Sequence, residues 1–365
     1  MLTRLVLLGS AALVVFLTKP IWEEPAGSFM PEPVNDVIHN GFDFEEMTED
    51  AVALLNNVTG SVQEPEQESV EVEEPELTTP EEQSFSVGNV ELGDTRQDVE
   101  DLYGDSMRES ENEYGATWFT YHENYQNFMM VSYNEEGMVQ GLYTNQNLLS
   151  SQYGIALGDS KSYVNETLGE PEEMIRSGRF NYQINSEGEY DVHQIDGSYV
   201  TVFYDVHEEN EVTAVQIIDE NLEAAKGSFY ADNSESLKEG FEYQLFDLTN
   251  AARVQRDLPV LEWNEEVKET ARAHSTDMAD NQFFSHTNEQ GQSPFERMEE
   301  DDITFTRAGE NLAYGQFSSV FAHQGLMNSM GHRENILNDS FTELGVGVDF
   351  NEDNQPFFTE NFITI

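Results

Sequence analysis

The chain has 365 residues, which is enough for two or three domains that each bury a core. It carries 16 basic and 72 acidic residues, for a formal net charge of -56. A surface of that sign repels DNA, RNA and anionic lipid headgroups, so the composition excludes a nucleic-acid function. The absence of cysteine excludes disulfides and thiolate metal sites. Because the acids are spread over every segment, they favour a role in solvation over a dedicated site for cations or a basic partner.

The first 22 residues have the pattern of an export signal. Arg4 precedes the run 5–17, which contains no charged residue, and this is the order of the n-region and h-region of a secretory signal. The run is shorter than the roughly 20 apolar residues that span a bilayer, and no clear small-x-small cleavage site follows it. Residues 1–22 are therefore predicted to be a signal anchor or a cleaved signal peptide, and the chain is predicted to be extracellular, anchored to the cell membrane or secreted.

Residues 23–85 have the composition of a tether. The stretch 63–83 combines Glu and Pro with almost nothing to bury. Charge repulsion and the stiffness of proline predict an extended conformation for this acidic segment.

The middle of the chain contains a repeat. The motif LGDT at 92–95 and the motif LGDS at 157–160 each open a segment with an apolar helical face that ends at Gly. Strand-like runs follow each predicted helix, at 117–121, 128–133 and 138–143 in the first copy and at 199–204 and 212–217 in the second. Residues 86–220 are therefore predicted to be a duplicated helix-plus-antiparallel-sheet domain, whose two units lie side by side and cover each other's open sheet faces.

A polar connector, residues 221–240, is predicted to separate this domain from the last third of the chain. A helix is predicted over 243–256, and Asn264 is predicted to cap the next one. Val267, Ala271, His274 and Met278 share one face of that second helix. His274 is therefore predicted to be a core histidine.

Three motifs after these helices hold a histidine or a carboxylate beside small or turn-forming residues. They are FFSHT at 283–287 with His286, AGENLA at 308–313 with Glu310, and GHRENIL at 331–337 with His332. Two neutral imidazoles and a carboxylate suit Zn²⁺, with a fourth place left for water or substrate. The same three residues also suit a buried hydrogen-bonded network that orders the surrounding loops. A strand with glycines, 341–348, and a final strand, 357–365, complete the pattern, and the glycines predict close packing of another backbone.

The order of FFSHT, AGENLA, GHRENIL, FTELGVGV and FFTENF is similar to that of bacterial CAP-domain proteins, the SCP/PR-1-like superfamily. LPVLEWNEEVKETARAHSTDMA resembles the helix that precedes these motifs in the family, so residues 241–365 are identified as a CAP domain. Residues 86–220 resemble the CAP-associated N-terminal domain of some Gram-positive bacteria. The resemblance implies an α+β chain in which a C-terminal α-β-α sandwich, with a central cleft, follows the duplicated domain.

The resemblance also implies which residues line that cleft. In this family the cleft is lined by two histidines and one or two glutamates, which in some members hold a divalent metal. Matched by motif, His286, Glu310 and His332 are these residues, and Glu310 is also the candidate catalytic group. The second carboxylate is Glu334 or Glu343, a choice that the motifs leave open.

The residues beside these motifs have two interpretations. Asn311 and Asn335, with Glu334, are candidates to bind a ligand, although such amides also tie loop backbone. Arg333 stands where eukaryotic members have an aromatic residue, in a GH-aromatic-TQ motif that this chain lacks. Arg333 is expected to pair with one of the nearby acids.

Three functions are compatible with this pattern. The favoured one is a membrane-tethered, non-enzymatic module whose cleft binds a small or lipid-like ligand, an envelope component or a divalent cation such as Zn²⁺. The second is a metal-dependent hydrolase of peptides or cell-wall material. The third is a structural protein of the envelope or spore.

Overall fold

The computed structural model describes residues 72–177 and 180–365. The predicted signal segment, 1–22, and most of the predicted tether lie outside the described residues. Within the described ranges, no helix combines the length and the apolar character that a bilayer crossing requires.

Two domains follow one another along the described chain. The first contains β1 (Phe85–Val87), α1 (Arg96–Tyr103), β2 (Arg108–Glu111), β3 (Thr117–Glu123), β4 (Gln126–Tyr133), β5 (Val139–Thr144), β6 (Leu149–Ser151), α2 (Lys161–Leu168), β7 (Met174–Ser177), β8 (Phe180–Gln183), β9 (Tyr190–Ile195), β10 (Ser198–Asp205), β11 (Glu211–Asp219) and α3 (Glu220–Ala225). The second contains α4 (Glu235–Val254), β12 (Glu262–Trp263), α5 (Glu265–Asn281), α6 (Pro294–Glu300), β13 (Arg307–Tyr314), α7 (Ser319–Asn328), α8 (Met330–Ile336), β14 (Glu343–Phe350) and β15 (Pro356–Thr364).

The repeat forms one antiparallel sheet of seven strands, in the order β2-β3-β4-β5-β11-β10-β9. The first copy supplies β2 to β5 and the second supplies β9 to β11, and the two copies join where β5 pairs with β11. The prediction that the copies cover each other's faces is therefore wrong. Joining edge to edge satisfies the backbone groups that each half-sheet would leave unpaired at its edge.

The helix that opens each copy begins and ends as predicted. The side chain of Thr95 accepts the N–H of Asp98 at the start of α1, and the side chain of Ser160 accepts the N–H of Tyr163 at the start of α2. Gly104 and Gly169 end the two helices with φ of 75° and 86°, a conformation that favours glycine.

The last residues of the predicted tether pack on the first domain. The carboxylate of Glu91 accepts the backbone N–H groups of Glu81, Glu82 and Gln83. Phe85 is buried, and β1 pairs with β6. The tether prediction for 23–85 thus fails at its C-terminal end, because an apolar strand and a carboxylate acceptor hold that end in place.

The second domain is an α-β-α sandwich around a sheet in the order β12-β14-β15-β13. Alternate residues of β14, from Leu344 to Phe350, join the core beneath α4. On the other face, a Cβ at Gly345 or Gly347 would clash with the backbone of α5. The predicted close packing against the glycine strand is confirmed, as are the Asn264 cap and the buried position of His274.

Helix α4 begins at Glu235, inside the predicted linker 221–240, and α3 occupies the start of that linker. The side chain of Ser234 caps α4 by accepting the N–H of Leu237, and Leu237 and Phe241 are buried. The apolar face of this helix therefore starts earlier than predicted. The sequence did not indicate this earlier start, because Gly240 lies within the helix and glycine has a low helix propensity.

Helix α4 also joins the two domains, because it packs against β2 as well as β14. A Cβ at Gly240 would clash with the carbonyl oxygen of Glu111 in β2. Nearby, Leu248 and Ala251 of α4 and Val320 of α7 cover the face of the seven-stranded sheet that carries Trp118, Phe128, Met130, Tyr143, Phe203, Ala214 and Ile218. Helices of the second domain thus cover the sheet face that the repeat was expected to cover itself.

This contact predicts the effect of a methyl group at Gly240. Gly240→Ala should destabilise the chain by about 1–3 kcal/mol, because α4 must move away from β2. The free energy of urea unfolding measures the change. Gly325→Ala in α7 is the matched control, since its Cβ would lie 3.7 Å from the side chain of Gln316. That control should be neutral or stabilising, and equal stabilities of the two variants would contradict the packing argument.

Candidate functional site

Glu310 is the centre of the predicted site. It lies on β13, and its side chain is 1% exposed. One carboxylate oxygen, Oε1, lies 2.8 Å from Nδ1 of His286, and the other, Oε2, accepts Nη2 of Arg297 at 2.5 Å. Burial opposes the negative charge, but the hydrogen bond from His286 and the charge of Arg297 outweigh burial and lower the pKa of Glu310. Both oxygens of an ionised carboxylate are therefore engaged inside the protein.

His286 follows the end of α5, in the loop that leads to α6. Arg297 of α6 donates Nη1 to the carbonyl oxygen of His286 at 2.7 Å, while its Nη2 binds Glu310. The arginine thus holds both the backbone of His286 and the carboxylate that its ring contacts. Because the ionised Glu310 can only accept, Nδ1 of His286 carries the proton in this bond.

His332 lies on the short helix α8. Its Nδ1 is 2.7 Å from Oγ of Ser329, the residue that precedes α8. Burial, with a further contribution from the charge of the neighbouring His286, lowers the pKa of His332 to about 4. The imidazole of His332 is therefore neutral at pH 7.

Two asparagines connect Glu310 to His332. Asn311, which is fully buried, donates Nδ2 to the carbonyl oxygen of His332 at 3.1 Å. Asn335 donates Nδ2 to Oδ1 of Asn311 at 2.9 Å and to the carbonyl oxygen of Glu310 at 3.3 Å. The structure thus links His286, Glu310 and His332 by hydrogen bonds, with His332 joined through its backbone carbonyl and not through its ring. Both asparagines tie backbone within this network.

The remaining predicted residues do not join this network. Glu334 is exposed on α8. Glu343 accepts Nδ2 of Asn264, the cap of α5, at 2.5 Å. Glu343 is in β14, and β15 separates β14 from the strand of Glu310. The prediction that Glu343 completes a metal site is therefore wrong, because this side chain serves the cap of α5 instead.

The sequence reasoning missed two residues of the network, Arg297 and Glu360. Glu360 is fully buried on β15, where it accepts Oγ1 of Thr249 at 2.9 Å and Nδ2 of Asn311 at 3.0 Å. Burial raises the pKa of Glu360 to about 7. Glu360 left a signal in the sequence, since it interrupts the apolar run FFTENF, whereas the role of Arg297 depends on tertiary contacts.

The donor set bears on the metal hypothesis. Across residues 72–177 and 180–365, no group of three or more His, Cys, Asp or Glu side chains is arranged to hold a metal ion. Glu310 was predicted as a ligand, but its oxygens bind Arg297 and His286. The donors that a metal could use in this network are thus the imidazoles of His286 and His332, with Glu310 orienting the first of them.

The raised pKa of Glu360 predicts an unusual pH dependence of stability. A carboxyl group whose pKa is about 7 in the folded state and about 4.5 in the unfolded state stabilises the fold through the proton that it binds. This stabilisation is complete only below pH 4.5. That contribution is lost as the pH rises through 7. Relative to the wild type, Glu360→Gln should therefore gain up to about 3 kcal/mol of stability between pH 5 and pH 8.

Urea unfolding at the two pH values measures this gain. The control is Glu334→Gln, because Glu334 is exposed on α8. A difference between Glu360→Gln and the wild type that stays the same at both pH values would show that Glu360 does not titrate near neutrality.

Comparison with known proteins places both domains. The family model described as CAP-associated N-terminal matches residues 92–229, and the model of the cysteine-rich secretory protein family matches residues 246–362. The chain is 43% identical over 122 residues to the uncharacterized membrane protein YlbC of Bacillus subtilis, and 39% identical over 123 residues to the uncharacterized protein YkwD of the same organism. These matches cover 33% and 34% of this chain and only 34% and 47% of the two relatives.

Two solved structures share most of the described fold. One is an extracellular protein containing an SCP domain from Bacillus anthracis, with a TM-score of 0.64 and 26% identity over 75% of this chain and 94% of that one. The other is a cysteine-rich secretory protein from Staphylococcus aureus, with a TM-score of 0.62 and 13% identity over 79% of this chain and 98% of that one. The second likeness concerns the fold alone. The chain therefore carries a CAP-associated N-terminal domain followed by a CAP domain of the cysteine-rich secretory protein family.

Proposed function

We propose that this chain is a binding module of the bacterial cell envelope, whose cleft takes a polar ligand at His286 and His332. The observation that carries the proposal is the engagement of both oxygens of Glu310 by His286 and Arg297. This arrangement fixes the ring of His286 in one orientation, with its Nδ1 proton directed at Glu310. A fixed imidazole is well suited to recognise a ligand by hydrogen bonding.

The same arrangement disfavours hydrolysis. A general base needs an oxygen within reach of the attacking water and a pKa near the working pH. The side chain of Glu310 is 1% exposed, and its pKa is lowered rather than raised. Glu310 therefore suits a positioning role better than the catalytic role that the motif suggested.

The groups around the two rings suggest a class of ligand. The side chain of His286 is 25% exposed, and His332 and Asn335 are half-buried beside exposed Glu334. Imidazole and carboxylate groups bind hydroxyl and amide groups, such as those of cell-wall sugars and peptides. The strongly acidic surface repels anionic lipids, so a sugar or peptide component of the cell wall fits better than an anionic lipid.

The sequence and the relatives support a location for the cleft. Residues 1–22 have the pattern of an export signal, YlbC is described as a membrane protein, and the Bacillus anthracis structure is of an extracellular protein. We therefore place the cleft outside the cell, either secreted or held to the membrane by the N-terminal segment.

Binding of a divalent metal is a second candidate function. The imidazole groups of His286 and His332 are donors of the kind that Zn²⁺ and Cu²⁺ prefer. A bound metal would supply a Lewis acid, and Glu310 would keep Nδ1 of His286 protonated so that Nε2 faces the metal. The acidic surface would attract such a cation.

Calorimetric titration of the full-length chain tests both candidates. Soluble peptidoglycan fragments, ZnCl₂ and phosphatidylglycerol vesicles serve as the probes. His286→Gln and His332→Gln should each weaken binding of the fragments at least tenfold, because each removes an imidazole but leaves a side-chain amide. His193→Gln, which changes a histidine on β9 of the first domain, is the control. Fragment binding that neither cleft variant changes would contradict the proposal, and heat from Zn²⁺ alone would favour the metal candidate.

A further inference from the structure

The end of β10, in the first domain, contacts the junction between α7 and α8 in the CAP domain. Asn328, the last residue of α7, donates Nδ2 to the carbonyl oxygen of Tyr204 at 3.0 Å. Its Oδ1 accepts the N–H of Val206 at 3.1 Å, and its carbonyl oxygen accepts Nε2 of His207 at 3.0 Å. Three hydrogen bonds thus hold this one residue to the first domain.

An ion pair fixes the same junction from the side of α8. Arg333 donates Nη1 to Oδ2 of Asp205 at 2.7 Å, and the two side chains are only 10% and 6% exposed. The Nη1 group also contacts the carbonyl oxygen of Met327 at 3.3 Å. Arg256 of the CAP domain approaches the same Asp205 oxygen at 3.5 Å. A buried carboxylate that pairs with arginine fixes geometry strongly, because breaking the pair leaves an uncompensated charge.

This junction carries one of the two histidines of the cleft. His332 directly precedes Arg333, and its Nδ1 contacts Ser329, which directly follows Asn328. Asn328 and Arg333, which flank Ser329 and His332 in the sequence, are thus both bound by the first domain. The far end of α8 is held differently, since Arg253 of α4 donates Nη1 to the carbonyl oxygen of Ile336 at 2.7 Å.

The other histidine has a different support. The ring of His286 is held by Glu310, and its backbone by Arg297, and both residues belong to the CAP domain. His286 is therefore held by the CAP domain alone, whereas the helix of His332 is held by both domains, since Asn311 also binds the carbonyl oxygen of His332. The spacing between the two imidazoles depends in part on how the first domain docks.

We propose that the first domain is part of the construction of the cleft, and that Asp205 positions His332 through Arg333. The proposal rests on the proposed function in one respect, namely that the cleft is where a ligand binds. Asp205 is a positioning residue, since it contacts the helix that carries His332. The CAP-associated domain then has a role beyond that of a spacer.

The test replaces Asp205 with asparagine in the full-length chain. Asp205→Asn removes the charge that faces Arg333 but keeps an oxygen for the N–H of His207, which Asp205 Oδ1 accepts at 3.0 Å. Asp191→Asn is the matched control, because Asp191 also lies in the first domain, is also 6% exposed and pairs with Lys161 at 3.1 Å. The Asp191 pair lies within the first domain, whereas the Asp205 pair joins the first domain to α8.

The first measurement needs no ligand. In NMR spectra of the histidine rings, Asp205→Asn should shift the His332 signal and leave the His193 signal of the first domain unchanged. Asp191→Asn should leave the His332 signal in place, and Asp205→Glu should restore it at least in part. Hydrogen exchange of the segment 329–337 should also rise about tenfold in Asp205→Asn. A His332 signal and exchange rate equal to those of the wild type would overturn the inference.

The second measurement uses Zn²⁺ and peptidoglycan fragments as probes. Affinity for whichever probe binds the wild type should fall about tenfold in Asp205→Asn, as is usual when a group that orients a binding residue is lost. A shifted His332 signal with no probe bound by the wild type would contradict the proposed function and leave the positioning role intact.

A second variant covers the case in which Asp205→Asn does not fold. The double variant Asp205→Asn/Arg333→Gln removes the two most buried charges of the contact, and Arg256, whose side chain is 26% exposed, keeps its hydrogen bond to the carbonyl oxygen of Ala252. It should fold and still show the shifted His332 signal. An unshifted signal in the folded double variant would overturn the inference as well.

Discussion

The position of helix α4 between two sheets determines the arrangement of the described chain. Phe241 and Leu245 join the core of the CAP sheet, whereas Leu248 and Ala251 pack on the seven-stranded sheet of the first domain. Because two faces of this 20-residue helix belong to different cores, neither domain has a complete core without it. Asp247, between these residues, accepts Nε of Arg108 across the boundary at 2.9 Å. Burial raises the pKa of Asp247 to about 6, against the opposing effect of Arg108.

Much of this fold could be predicted from local sequence patterns. The repeated offset of LGDT and LGDS predicted two helices, and the caps at Thr95 and Ser160 confirm their starts. Local patterns could not predict which strand would pair with each exposed sheet edge, or which element would cover each sheet face. The strand sequences are compatible with both edge-to-edge joining and face-to-face packing of the two copies. The copies join through β5 and β11, and the CAP helices cover the remaining face. Gly240 illustrates the same limit, because its small size is required by a contact with Glu111 that is distant in the sequence.

The candidate site was predictable to a similar extent. His286, Glu310 and His332 lie in separate motifs, and the resemblance to CAP domains was enough to group them. Their partners are set by tertiary packing, which the motifs do not encode. Arg297, from the short helix α6, binds the oxygen of Glu310 that the metal hypothesis required. Glu343 was plausible by its place in the sequence, but it lies beyond β15 and binds the cap of α5.

The cleft and the domain contact are connected by buried polar groups rather than by apolar packing alone. Such groups specify position, because each one that loses its partner in a low-dielectric interior costs free energy. The chain of contacts runs from Asp205 through Arg333 to the helix of His332, and then through Asn311 to Glu360. If the first domain holds His332 as inferred, thermodynamic linkage makes the relation mutual. A ligand that binds the two imidazoles at the spacing set by the docked first domain must then also strengthen that docking.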